Sequence, residues 1–231
     1  MKRRTFIRLC AATAGAASAQ AFAASDARPQ HYARSRLEYA GGPLRASQIP
    51  VDRNLIFHYP YAATPCFLLN LGRPLNGPAE LKTADAQRYR WPGGVGPQRS
   101  IVAYSAICAH QLAYPTRDIS FISYRIEKGA QNRFTNVIHC CSEHSQYDPA
   151  RGARVVAGPA PQPLAAILLE YDAAEDTLTA VGTLGGEMFN AFFAKYAFKL
   201  RMERGHAAHD ATGTTTRVVE LNDYCRQQVR C

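Results

Sequence analysis

The sequence has no long, strongly apolar run, no block of basic residues and no internal repeat. The most apolar stretch, Leu9 to Ala24, is rich in Ala, Ser and Thr and makes a poor membrane-spanning helix. Without a basic run, the formal charge of +9 does not describe a nucleic-acid patch. Charged residues are only 19% of the 231, and 47% are hydrophobic, which is ordinary for a globular chain. Cysteines at 10, 66, 108, 140, 141, 225 and 231 lack the regular spacing of a small disulfide scaffold. Tryptophan occurs once, at Trp91, and is expected in the core.

Pro and Gly are not scarce (14 and 16), which favours a strand-rich fold with many turns. The first residues form a separate unit. Lys2, Arg3, Arg4 and Arg8 precede the weakly apolar stretch, and Ala21-Phe22-Ala23 is an A-x-A cleavage site. Arg3-Arg4-Thr5-Phe6-Ile7-Arg8 is similar to a twin-arginine export signal, an ordinary secretory signal being the alternative. Cleavage after residue 23 would remove four positive charges and no negative one, leaving +5. Left uncut, the segment would tether the protein to the inner membrane. Either way the expected location is the bacterial periplasm.

Four segments are expected: a signal or anchor over 1–25, a polar linker or arm over 26–54, a β-domain over 55–183 and a helical tail over 184–231. Strand-like runs occur at 55–59, 66–71, 100–104, 121–126 and 136–139, and a hairpin at 166–171 and 177–181. Phe189, Phe192, Phe193, Tyr196 and Leu200 recur at helical steps, so an amphipathic helix packed on the domain is expected.

Two loops carry the candidate chemistry. Cys108-Ala109-His110 and Cys141-Ser142-Glu143-His144 each follow an expected strand, and each supplies one Cys and one His. A zinc finger pairs its two cysteines on one knuckle and its two histidines on another. One Cys and one His from each loop instead suits a Rieske centre, where two thiolates hold one iron and two imidazoles the other. Residues 100–182 resemble the Rieske proteins of cytochrome bc-type complexes and of arsenite-oxidase-like oxidoreductases. The resemblance rests on the two loops, on Tyr147-Asp148, on Gly152 and on Gly158-Pro159-Ala160-Pro161. It implies a mainly β fold, a Rieske-type antiparallel β-sandwich with a cluster-binding subdomain. It further implies one [2Fe–2S] cluster held by Cys108, His110, Cys141 and His144, with the Tyr147 hydroxyl on a ligand sulfur.

The chain departs from that family in three ways. The extra loop cysteines that form a bridge in quinol-oxidising members are replaced by Ala113 and Glu143. The second loop reads His144-Ser145-Gln146 rather than His-Gly-Ser. Counting back without a gap from Tyr147 puts Cys140 at the ligand position and Glu143 opposite the histidine. The Cys-x-x-His spacing of Cys141 and His144 is preferred because it keeps both ligand types. The connection between the loops is long, and the insertion around 120–136 is expected to add a hairpin.

The expected function is one-electron transfer, with a cytochrome or an oxidoreductase large subunit as partner and a quinol as candidate donor. The altered second loop and missing bridge place the expected potential below that of quinol-oxidising members, within about −150 to +300 mV. The alternative is a binding module with a structural Cys2His2 zinc site. An oxygenase would need a second iron site of two histidines and a carboxylate, and after residue 182 only His206 and His209 remain. Cys225 and Cys231 are candidates to pair with each other or with Cys66.

Overall fold

The computed structural model describes residues 27–131 and 133–231. The signal expected over 1–25 lies outside the described residues. From the N-terminus, strands β1 (Gln30–Tyr39), β2 (Gly42–Pro43), β3 (Leu55–His58) and β4 (Pro65–Asn70) precede a hairpin of β5 (Ala79–Lys82) and β6 (Arg88–Trp91). β7 (Ile101–Ser105), β8 (Ile119–Ser120), β9 (Ile122–Arg125), β10 (Val137–Cys140), β11 (Ser145–Asp148) and β12 (Arg154–Ala157) follow. The chain ends in β13 (Ala166–Asp172), β14 (Thr177–Leu184), α1 (Phe189–Arg204), β15 (Thr215–Arg217), β16 (Val219–Glu220), α2 (Leu221–Tyr224) and β17 (Gln227–Gln228). The molecule is mainly β, as expected, and every strand run read from the sequence is present with shifts only at its ends.

The larger sheet has the order β15-β1-β14-β13-β7-β4-β3-β16, with β2 paired to β1, and only the β1–β15 pairing is parallel. Its strands alternate cleanly between two cores. Ile56, Phe67, Leu69, Val102 and Tyr104 point to one, which also holds Trp91 and the smaller sheet's Ile122, Ile138 and Tyr147. Leu55, Phe57, Leu68, Ile101 and Ala103 point to the other and meet Leu37, Leu178 and Ala180. β15 and β16 are separated only by Val218, yet stand at opposite ends of the strand order. The sheet therefore curls back on itself. Thr216 Oγ1 donates to the His58 carbonyl (2.9 Å) and Val218 N–H to the Glu38 carbonyl (2.7 Å) across the seam.

Two expected boundaries change. The segment expected as a linker over 26–54 contributes β1, which lies between β14 and β15. Only Ser35 and Leu37 of its ten residues are buried, so its composition reads as polar linker. Pairing with distant strands, not burial, makes it a strand. The tail over 184–231 holds the expected helix but also three short strands that return to the β-domain.

The smaller sheet, β12-β11-β10-β9, is antiparallel throughout. β9 and β10 are the hairpin expected from the insertion, with Ile122 opposite Cys140. Helix α1 buries Phe189, Phe192, Phe193 and Leu200 against Ile107, Leu112 and Tyr114. Those three residues flank the first candidate loop.

His58 sits at the sheet seam, its Nε2 3.1 Å from Arg204 Nη2 and 3.4 Å from the Tyr224 hydroxyl. Burial, then the charges of Arg204 and Arg117, push its pKa down to about 3. Between that value and the usual 6.5 the unfolded chain binds more protons than the folded one, so stability rises with pH. The contribution is fully present above about pH 6.5 and is lost toward pH 3, at up to ~1.4 kcal/mol per pH unit. His58→Gln keeps an acceptor for Arg204 and should flatten this slope in urea unfolding between about pH 4 and 7. An unchanged slope would assign the acid sensitivity elsewhere.

Candidate metal centre

The first loop leaves β7 through a tight set of backbone bonds. Ser105 N–H donates to the Ala165 carbonyl (2.8 Å) and Ala106 N–H to the Pro65 carbonyl (2.9 Å). Cys108 N–H then donates to Ala113 O (2.8 Å), and Leu112 N–H returns to Cys108 O (2.9 Å). The resulting turn aims the amides of His110 and Gln111 at the Cys108 sulfur. The second loop repeats the device. The amides of Ser142 and Glu143 point at the Cys140 sulfur. Each loop thus cradles one sulfur with the amides two and three residues on, and the two sulfurs lie within hydrogen-bond reach of each other.

The structure therefore places Cys140, not Cys141, beside Cys108. The cause is strand alternation. Across β10 and β11, Ile138 faces Tyr147 and Cys140 faces Ser145, so these four share the face turned to the first loop. His139 and Cys141 belong to the opposite face. Cys141 forms a disulfide with Cys231, and His139 Nδ1 lies 3.6 Å from the Cys231 sulfur. Neither pairing proposed for Cys231 from the sequence occurs. Cys66 is buried beside the Tyr59 carbonyl, and the Cys225 thiol donates to Gln227 O.

The imidazoles divide in the same way. His110 is part-buried, with Nδ1 4.0 Å from Glu143 Oε2. The His144 ring lies 6.0 Å from that of His139, on an exposed residue with φ +57°. Of the four expected ligands, the structure brings together Cys108 and His110 and adds Cys140 and Glu143. Cys141 is bridged elsewhere and His144 turns away. Among the other histidines, His209 stacks on Phe193 with ring centroids 3.8 Å apart.

Tyr147 ties the loops together. Its hydroxyl accepts from Ala109 N–H (3.2 Å), which leaves its proton for the Cys108 sulfur at 3.2 Å. The Cys140 thiol, the Tyr147 hydroxyl and the loop amides favour thiolate at Cys108 against the opposing effect of burial. The same contact with Cys108, with burial, pushes the Cys140 thiol up. Donors from both loops thus converge on the Cys108 sulfur, an arrangement that suits a thiolate ligand. The Pro-rich loop closes over the second loop at Gly158 (φ +85°). A Cβ there would stand 2.5 Å from His144 O and Ser145 Cα, so a side chain would force the cover off.

Two buried polar atoms line this region without a hydrogen-bond partner among the described residues: His110 Nδ1 and Ser145 Oγ. Ser145 is fully buried on the Cys140 face. Sequence reading did not single it out, although its place two residues before Tyr147 on an alternating strand was available.

No family model matches the chain. Among solved structures it is similar to the soluble domain of the Rieske protein II (soxF) from Sulfolobus acidocaldarius. The match has 26% identity and a TM-score of 0.45, and covers 66% of this chain and 78% of that one.

Proposed function

We propose that this chain is a Rieske-type [2Fe–2S] electron carrier. Cys108 and Cys140 would hold one iron, and His110 and Glu143 the other. The observation that carries the reading is the pair of unpartnered buried atoms, His110 Nδ1 and Ser145 Oγ. The first suits a metal donor. The second is a hydroxyl donor on the sulfur face, which suits the bridging sulfides of a cluster. A lone zinc ion would add no acceptor beyond the cysteine sulfurs, whereas a cluster adds its own sulfides. The cradling amides and the Tyr147 hydroxyl further suit a charge-bearing cluster, since donors to the sulfurs raise its potential.

When bound, the cluster supplies reversible one-electron transfer. The chain's own residues do the rest. With a cluster bound, the Tyr147 and Ser145 hydroxyls would donate to its sulfurs and favour the reduced state. The Glu143 carboxylate, as an oxygen ligand, would favour the oxidised state. The cover at Gly158 limits water, and part-exposed His110 leaves one edge of the centre near the surface for a partner. Export through Arg3-Arg4, a periplasmic setting and a redox partner (a cytochrome or an oxidoreductase large subunit, with quinol as a candidate donor) complete the proposal.

The test is metal and sulfide content of protein purified without oxygen. Iron and acid-labile sulfide in equal amounts, two of each per chain, are expected. One zinc per chain without sulfide would replace this reading with a structural zinc site.

A further inference from the structure

No disulfide links the two candidate loops: with Cys140 in the ligand position, Ala113 and Ser142 stand where the resembling family has its loop cysteines. The loops are braced from outside, by the C-terminal segment. The first is braced by α1. Tyr114 packs edge-on against Phe192 and Tyr196, each with centroids 4.9 Å away, and Lys195 Nζ donates to Gln111 O (2.6 Å).

The second loop is braced by the last seven residues. β17 pairs in parallel with β8, and Val229 N–H donates to Ser120 O (2.9 Å). Arg125 Nη2 donates to the Val229 carbonyl, which fixes the strap across β9. The Cys141–Cys231 disulfide then joins its last residue to the residue after Cys140. On the loop side, Cys141 N–H donates to Phe121 O (2.6 Å), next to the same β8 that carries the strap.

We infer that Cys231 is a positioning residue: its disulfide with Cys141 clamps the second loop, and so holds Cys140 and Glu143 against Cys108 and His110. The inference extends the electron-carrier reading, but the clamp itself is a property of the polypeptide. It makes a directional claim, since the clamp touches only the second loop while α1 holds the first.

The test compares the full-length protein as purified with a Cys141→Ser/Cys231→Ser variant. Cys225→Ser, a free thiol in the same tail, serves as control. Peptide mapping should recover residues 141 and 231 linked. Hydrogen exchange resolved by peptide should then quicken over 140–146 in the double variant, with 107–114 unchanged. Iron release to a chelator should be about tenfold faster, the scale seen when outer partners of a metal site are removed, and Cys225→Ser should match the parent. Unlinked cysteines, equal exchange over 140–146, or equal quickening in both loops would overturn the clamp. If the parent holds no iron, the exchange comparison still decides the clamp, and only the cluster reading fails.

Discussion

Cys140→Ser abolishes cluster binding, while Cys141→Ser leaves a loaded cluster. This is the largest effect expected of any single substitution in the chain, and it runs against the spacing of the motif. Cys141-Ser142-Glu143-His144 has the tidier Cys-x-x-His pattern, but β10 alternates, and the alternation puts Cys140 on the Tyr147 face. Removing Cys140 leaves Cys108 without its neighbouring sulfur and removes one of the four proposed ligands. Removing Cys141 opens a disulfide behind the loop, which speeds iron loss without deleting a donor. Iron content and visible absorption of the freshly purified variants check the pair. His144→Ala should also retain iron, since its ring lies against His139. Iron retained in Cys140→Ser and lost in Cys141→Ser would restore the register read from the sequence.

Glu143→His raises the midpoint potential of the centre by on the order of 100 mV, judged from the rise that accompanies exchange of thiolates for neutral imidazoles. The physical ground is charge. A carboxylate 4.0 Å from His110 Nδ1 would add a negative charge beside the iron proposed to accept the electron. Reduction would add another, and the two would repel, with solvent at the part-exposed Glu143 and His110 side chains screening part of the effect. A neutral imidazole removes the repulsion. Potentiometric titration of the parent should therefore give a midpoint in the lower part of the Rieske range, and the variant a higher one. An unchanged or lower midpoint in Glu143→His would show that Glu143 does not ligate.

The β-domain was legible because its strands obey simple rules. Runs such as 55–59 and 100–104 are apolar on both faces, and the structure buries both in separate cores. Helix α1 was legible from the spacing of Phe189, Phe192, Phe193 and Leu200. β1 was not, because Gln30–Tyr39 buries so little of itself and owes its strand to partners at 177–184 and 215–217. The Cys141–Cys231 bridge was hidden by its separation of 90 residues and by a polar tail with no local signal. The register of the second loop is the instructive case. Alternation along β10 turns His139 away from the centre, turns Cys141 away with it and brings Cys140 in. Cys-x-x-His spacing does not say which face of a strand a cysteine takes, and strand geometry decides where the side chain points.

The electron paramagnetic resonance spectrum of the dithionite-reduced, full-length protein tests the central claim most directly. The account predicts a brown protein that is silent when oxidised and gives a spin-one-half signal of one spin per chain when reduced, absent from Cys108→Ala and Cys140→Ser alike. A colourless protein with no signal on reduction would contradict it.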